Sequence, residues 1–99
     1  MSTNVGRKIQ LMRKSEMLTQ KQMADITGVS IASLTQYEQG RNVPSLESIV
    51  KIFKHPRFRK YHDWFLFDET ELKAGQVVPA LAHIGQESTK SSQSEKKTG

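Results

Sequence analysis

The sequence has no cysteine, only 7% aromatic residues and no long apolar run. Without cysteine the chain cannot form disulfide bridges or thiolate zinc sites, a composition that fits a reducing compartment. The longest apolar run, VVPALA, is far too short to span a bilayer, and the N-terminal MSTNVGRKIQ lacks the apolar stretch of a signal peptide. We therefore expect a soluble, intracellular protein.

The charge is uneven along the chain. The 99 residues carry a net charge of +5, and 35% of them are hydrophobic, which suits one domain with a small core. Residues 1–66 hold 11 Lys/Arg against 5 Asp/Glu, whereas residues 67–99 hold 4 against 5. This distribution favours a polyanionic partner for the first part, although a basic surface that only confers solubility fits the same charge.

Apolar spacing and capping residues predict a fold built of helices. In the first helix Val5, Ile9 and Met12 share one face, with Lys8 and Arg13 among the residues on the other faces. A capping box, several serine caps, glycines and His55-Pro56 set the remaining ends. The five predicted helices cover about residues 4–17, 20–28, 30–39, 45–55 and 57–67.

The character of the chain changes after the last predicted helix. DETELKAG is typical of a linker, and QVVPALAHI is apolar and extended, with a proline that argues against a central strand. The final GQESTKSSQSEKKTG is rich in small and polar residues and is predicted to be disordered. We therefore divide the chain into a helical domain (1–67), a linker with a C-terminal segment (68–86) and a tail (87–99).

The second and third helices, joined by a turn with Gly28, match the spacing of a helix-turn-helix. Ala24 is small where the two helices cross, and Val29 is predicted to lie beneath the turn. The positions expected in a shared core are Met23, Leu34 and Tyr37.

The segment LTQKQMADITGVSIASLTQYEQGRNVP (18–44) resembles the lambda-type (Cro/C1) helix-turn-helix, and KYHDWFLF resembles the closing helix of such domains. Across the chain, LMRKSEML, ADITGVS, YEQGR, KYHDWF and PALAHIGQ resemble the short immunity (C) repressors of peduovirus-type temperate phages. Thr27 departs from the pattern, which buries a larger aliphatic residue there. We expect the methyl group of Thr27 to face inward and Ile26 to share the packing.

This resemblance implies an all-α, five-helix lambda-repressor-like DNA-binding domain with a short C-terminal extended or β segment. It also implies a cytoplasmic, nucleoid-associated homodimer that maintains lysogeny by blocking the early lytic promoter, with double-stranded operator DNA as its partner. An anti-repressor protein is a further candidate partner, and no cofactor is expected.

The outer face of the third helix is the candidate reading surface, because short side chains let a helix approach base edges in the major groove. Gln36 could pair with adenine, and Ile31 could contact a thymine methyl group unless it packs inward instead. Ser30 could donate to a phosphate or act only as a cap. With no Arg or Lys in this helix, A·T pairs are the predicted target. The predicted DNA contacts are Gln20, Lys21, Ser30, Ile31, Ala32, Ser33, Thr35, Gln36, Arg41 and Asn42.

Two further sets of residues have predicted structural roles. Arg13 and Glu38 match positions that form an ion pair in part of this family. The apolar C-terminal segment follows a core that is already supplied, so we expect it to pair with a second copy across a two-fold axis; the alternative is that it packs on its own helices. The predicted dimerisation residues are Val77, Val78, Ala80, Leu81, Ala82, Ile84 and Trp64.

Other functions fit the sequence less well. Ala74-Gly75 resembles a self-cleavage dipeptide, but too few residues follow it for a catalytic domain, so we expect no enzyme activity. His55, His62 and His83 lack metal-ligand spacing, and we expect no metal site. An antitoxin or a restriction-modification controller would use the same helix-turn-helix, and a protein-interaction module would use the basic charge for an acidic protein.

Overall fold

The computed structural model describes residues 4–82, and all regular elements in that range are helical. No helix within it is long and apolar enough to cross a membrane. Ile84, His83 and the predicted tail lie outside the described residues. The elements are α1 (Val5–Ser15), α2 (Gln20–Thr27), α3 (Ile31–Glu38), α4 (Leu46–Lys54), α5 (Pro56–Arg59), α6 (His62–Phe67) and a 3-10 turn (Leu72–Ala74).

Local signals set the beginnings of the first four helices. Asn4, Thr19, Ser30 and Ser45 each accept a hydrogen bond from the backbone N–H three residues further on, and the predicted capping box at Thr19 is complete. After α2, Gly28 takes the left-handed conformation with φ +85. The second and third helices therefore form with the predicted turn between them.

The core forms where α1 and α2 pack against α3, and α2 also contacts α4. Met23 and Leu34 are fully buried, Tyr37 is 7% exposed and Val29 is 3% exposed. Thr27 is also buried, and its hydroxyl donates to the Met23 carbonyl at 2.7 Å. The expectation that Ile26 shares this packing is wrong, because Ile26 remains 38% exposed.

Gly6 permits the close crossing of α1 over α3. A Cβ atom at Gly6 would lie only 2.1 Å from the backbone oxygen of Tyr37. No other residue type could occupy this position without moving the backbone. Sequence reasoning missed this contact, and the available signal was a glycine inside a predicted helix.

Lys8 is buried, so its predicted placement away from the core is wrong. Arg13 is also buried, in the predicted pair with Glu38. Lys8 Nζ donates to the carbonyls of Trp64 at 3.2 Å and Phe65 at 3.0 Å, and it lies 2.7 Å from an Asp68 carboxylate oxygen. Both carbonyls belong to the last turn of α6, where the Trp64 carbonyl also accepts from the Asp68 N–H at 3.0 Å. Lys8 therefore ties α1 to the end of α6.

The predicted fifth helix is divided into α5 and α6 between Arg59 and His62. The break frees backbone groups that a continuous helix would pair internally. The Gln76 side chain donates to the Arg59 carbonyl at 3.0 Å and accepts from the Asp63 N–H at 2.9 Å, and the Val77 N–H donates to the Lys60 carbonyl at 2.8 Å. The C-terminal segment thus pairs the groups exposed by the break.

The C-terminal segment packs on its own helices as far as the structure describes it. Pro79 is fully buried, Ala82 is 3% exposed, and Val77, Val78 and Leu81 pack against the core from half-buried positions. No strand forms between residues 4 and 82, and residues 80–82 are helical. The arrangement found is therefore the back-packing alternative, and an extended β segment does not form up to residue 82.

Glu16 joins the end of α1 to α5 and to the turn that follows it. Its carboxylate accepts from the Tyr61 hydroxyl at 2.5 Å and from Arg57 Nε at 3.1 Å, and it lies 2.9 Å from Lys60 Nζ. Burial acts to raise the pKa of Glu16, but the hydrogen bonds from Tyr61, Lys60 and Arg57 outweigh it, so the pKa lies below its usual value. Burial and the bond to Glu16 together raise the pKa of Tyr61.

Candidate nucleic-acid interface

The outer face of α3 presents apolar and amide groups to solvent. Ile31 is 48% exposed, and Ala32 and Gln36 are also exposed, whereas Leu34 and Tyr37 on the opposite face enter the core. The structure therefore does not show the alternative in which Ile31 packs inward. A face of this kind can contact thymine methyl groups and hydrogen-bond to base edges.

The N-terminus of α3 is capped by its own serines. Ser30 Oγ accepts from the Ser33 N–H at 3.1 Å and donates to the Ser33 hydroxyl at 2.9 Å. The capping role of Ser30 is thus present, and its hydroxyl proton is used. The Ser33 hydroxyl proton stays available to an anion at the helix N-terminus, where the helix dipole favours negative charge.

Gln20 links the start of α2 to α3. Its Nε2 donates to Glu38 Oε1 at 3.1 Å, and its Oε1 accepts from the Thr35 hydroxyl at 2.9 Å. The Thr35 hydroxyl also lies 2.8 Å from the Ile31 carbonyl. Because the one hydroxyl proton of Thr35 is used in these contacts within the protein, Thr35 can offer a base only its methyl group or an oxygen lone pair. Gln20 retains one amide proton for a phosphate.

Arg13 and Glu38 form a buried ion pair behind this bridge. Arg13 Nε and Nη2 donate to the two Glu38 carboxylate oxygens at 2.8 and 2.9 Å, and Nη1 donates to the Leu18 carbonyl at 2.8 Å. The side chains are only 10% and 3% exposed. The pair therefore fixes the end of α3 against α1 and orients the carboxylate that holds Gln20.

Arg41 and Asn42 follow α3 in an exposed turn. The Arg41 N–H donates to the Gln36 carbonyl at 2.9 Å, and the Asn42 side-chain amide donates to the Gln36 side-chain oxygen. The turn thus returns Asn42 to the side of Gln36. Arg41 is left with its charge at the edge of the α3 surface.

Lys21 lies at the start of α2 on the same side as the serine-capped turn. Its ammonium is 3.3 Å from an Asp25 carboxylate oxygen, but both side chains are more than half exposed. An exposed pair one helical turn apart contributes little stability, so it hinders a phosphate contact little. The candidate reading surface, the outer face of α3, therefore has cations at two edges, Lys21 and Arg41.

The predicted dimerisation residues up to residue 82 do not come together as a free apolar surface. Trp64 is only 4% exposed and lies under Lys8, whose Nζ is 5.1 Å from the ring centre. Exposed apolar side chains occur instead along α4 and α6, beside a groove of about 450 Å³ that Leu46, Val50 and Leu66 help to line. Phe67, at the end of α6, is 61% exposed.

The histidines belong to helix ends and surfaces within residues 4–82. His55 accepts from the Arg57 N–H at 3.1 Å and caps α5, and His62 Nδ1 lies 3.0 Å from Asp63. In this part of the chain no three His, Asp or Glu side chains are grouped as a metal site.

The fold defines a DNA-binding domain of the helix-turn-helix class: α1, α2 and α3 share a core, Gly28 forms the turn, and α2 braces the exposed α3. Comparison with known proteins agrees, because residues 9–57 match the helix-turn-helix family. Over 99 residues the chain is 46% identical to Repressor protein C of Escherichia phage P2, covering 100% of both chains. The chain belongs to this family of phage C repressors.

A second relative matches only the central part of the chain. Over 40 residues the sequence is 48% identical to the cryptic phage CTXphi transcriptional repressor RstR of Vibrio cholerae serotype O1. The matched region covers 40% of this chain and 36% of that protein. The region of similarity is thus short in both proteins.

Proposed function

We propose that the protein is a sequence-specific DNA-binding transcriptional repressor that reads the major groove with α3. The observation that carries this proposal is that α3 exposes Ile31 and Gln36 to solvent while its opposite face is buried. Apolar surface left in water at the start of this helix gains from contact with thymine methyl groups. Lys21 and Arg41 at the edges supply phosphate contacts that position the helix without reading sequence.

The end-to-end similarity to a phage repressor supports a specific biological role. We propose that the protein acts in the cytoplasm of the bacterial host and maintains lysogeny by blocking the early lytic promoter. An antitoxin or restriction-modification controller would share the helix-turn-helix, but similarity over the full 99 residues favours the phage repressor.

Footprinting on the promoter beside the gene tests this function. We expect protection of two half-sites rich in A·T pairs, with an affinity that falls steeply as salt increases, by about 0.9 in log–log slope for each neutralised phosphate. Equal protection of unrelated duplexes would contradict sequence-specific repression.

We also propose that the protein binds as a homodimer, because one reading helix contacts too few base pairs to select a site in a genome. Since the C-terminal segment is largely used by its own core, we place the contact along α4 and α6, at Leu46, Val50, Leu66 and Phe67. Residues 1–3 and 83–99 contain Met1 and Ile84 as their only large apolar side chains, which favours a second copy of the chain as the occupant of this surface.

Oligomeric state tests the interface. Val50→Glu and Leu66→Glu should convert a dimer into a folded monomer in sedimentation experiments, because each places a charge in an apolar contact. Met17→Glu is the matched control, since Met17 is 89% exposed and lies in the turn after α1. Loss of the dimer on removal of residues 83–99, with both α4 and α6 variants still dimeric, would place the interface in the tail instead.

A further inference from the structure

The contact between Asn42 and Gln36 joins a residue outside α3 to the main polar group on its outer face. The Asn42 side-chain nitrogen donates to Gln36 Oε1, and both residues are exposed. Gly40, with φ +77, and the bond from the Arg41 N–H to the Gln36 carbonyl turn the chain back over the end of α3. The backbone therefore holds Asn42 beside Gln36.

This hydrogen bond determines which end of the Gln36 amide points in each direction. A glutamine amide has one acceptor oxygen and one donor nitrogen, and a free side chain can exchange them by turning the terminal group over. In this structure the nitrogen of the Asn42 amide, and not its oxygen, faces Gln36, so the pair holds the Gln36 oxygen toward Asn42 and directs Nε2 away. The oxygen keeps a second lone pair for another donor.

The order of acceptor and donor matters in the major groove. An adenine presents N7 as an acceptor and N6 as a donor, and reversing an A·T pair to T·A reverses the order of these groups across the groove. A glutamine amide with fixed orientation matches one of the two arrangements, whereas one free to turn over matches both.

We infer that Asn42 is a positioning residue that sets the base-pair orientation read by Gln36, an inference that rests on the proposed reading of DNA by α3. Asn42 acts here through Gln36 and needs no base contact of its own. Its rival role is a direct phosphate contact, which would add affinity for every sequence and no preference.

Selection from a randomised duplex library separates these roles. The full chain and its variants Asn42→Ala, Asn42→Asp and Gln36→Ala are each sequenced after binding, and preference is scored as the ratio of A·T to T·A at every position. Arg41→Ala is the matched control, since it removes a neighbouring exposed side chain and leaves the Gln36 amide bonded to Asn42. Circular dichroism melting checks that all variants remain folded.

For the wild-type protein we expect one position whose orientation preference disappears in Gln36→Ala. At that position Asn42→Ala should lower the ratio by about tenfold, the lower part of the range for a bidentate base contact. Asn42→Asp can only accept, so it should bond to Gln36 Nε2, turn the amide over and reverse the ratio. The added negative charge of Asn42→Asp lowers the affinity for every duplex by the same factor. This common factor cancels in the ratio of A·T to T·A. Arg41→Ala should lower affinity without changing the ratio.

Two failures are distinguishable. If the wild-type protein selects no sequence, the proposed function fails. If it selects a sequence, and Asn42→Ala or Asn42→Asp leaves the ratio at the Gln36 position unchanged, the inference about Asn42 is overturned while the repressor function stands.

Discussion

Arg13 of α1 and Glu38 at the end of α3 are separated by 25 residues in sequence and joined by two hydrogen bonds of 2.8 and 2.9 Å. Gln20 of α2 bonds to the same carboxylate at 3.1 Å. Three helices thus meet at one acidic side chain directly behind the proposed reading surface. Because α3 is held from both sides, its outer face is presented in a fixed position.

Removing one charge of this pair should be costly. Arg13→Met leaves the Glu38 carboxylate buried without its partner, and we expect a loss of about 3–5 kcal/mol in urea unfolding. Arg13→Met combined with Glu38→Leu should recover much of that loss, since no unpaired charge remains. Lys21→Met is the exposed control and should cost under about 1 kcal/mol. Strictly additive effects at the two positions would refute the coupling.

Gly6→Ala should be among the most destabilising small changes in the chain. The new Cβ would lie 2.1 Å from the Tyr37 oxygen, so α1 must move away from α3. Overpacking of this kind costs about 1–3 kcal/mol, and contact with rigid backbone favours the upper end. Lys14→Ala, on an exposed face of α1, should change the midpoint little. A Gly6→Ala protein with an unchanged thermal midpoint would show that the crossing is looser than described.

Glu16→Gln should change how stability responds to acid. The folded-state pKa of Glu16 lies below its ordinary value of 4.5, so its stabilising contribution is present above that pH and disappears as the pH falls through the folded-state pKa. The variant should therefore be less stable than the wild type at pH 7, and the gap should narrow below about pH 4. Unfolding curves at several pH values measure it. Glu47→Gln, with a 77% exposed side chain, is the control.

Truncation after Gly75 should unfold the domain or weaken it strongly. It removes Gln76 and Val77, which pair the backbone groups freed between α5 and α6, together with the buried Pro79 and Ala82. Truncation after Gln86 keeps all of these and should melt like the full chain. A well-folded protein ending at Gly75 would show that the segment is dispensable to the helical core.

Met17→Gly should stabilise the protein. Met17 adopts φ +61 after the end of α1 and is 89% exposed, so its side chain contributes little packing to offset the strain. Glycine takes this conformation without a Cβ penalty, which favours a gain of about 1 kcal/mol. A thermal midpoint higher by about 4–8 °C would match that gain for a domain of this size. A lower midpoint would show that the methionine side chain is needed.

The part of the fold that depends on neighbouring residues was predictable. Caps at Asn4, Thr19, Ser30 and Ser45 and the left-handed Gly28 act within a few residues, so sequence alone locates the first four helices and the turn of the helix-turn-helix. Part of the outer face of α3 follows from the same spacing, because a helix with Leu34 and Tyr37 inward turns Ala32 and Gln36 outward. Ile31 lies only three residues before Leu34, so its exposure of 48% was decided by the structure.

Tertiary contacts decided what the spacing left open. Lys8 can be buried because two carbonyls at the end of α6 and the Asp68 carboxylate accept from its ammonium, and no local pattern predicts a partner 56 to 60 residues away. The break between α5 and α6 and the packing of the C-terminal segment depend on each other. The break exposes the Arg59 and Lys60 carbonyls, and Gln76 and Val77 of the segment donate to them. Short-range hydrogen bonds and side-chain periodicity depend on neighbouring residues, so the sequence alone determines them. The partner of a buried polar group depends on which distant segments pack together, so only the tertiary structure determines it.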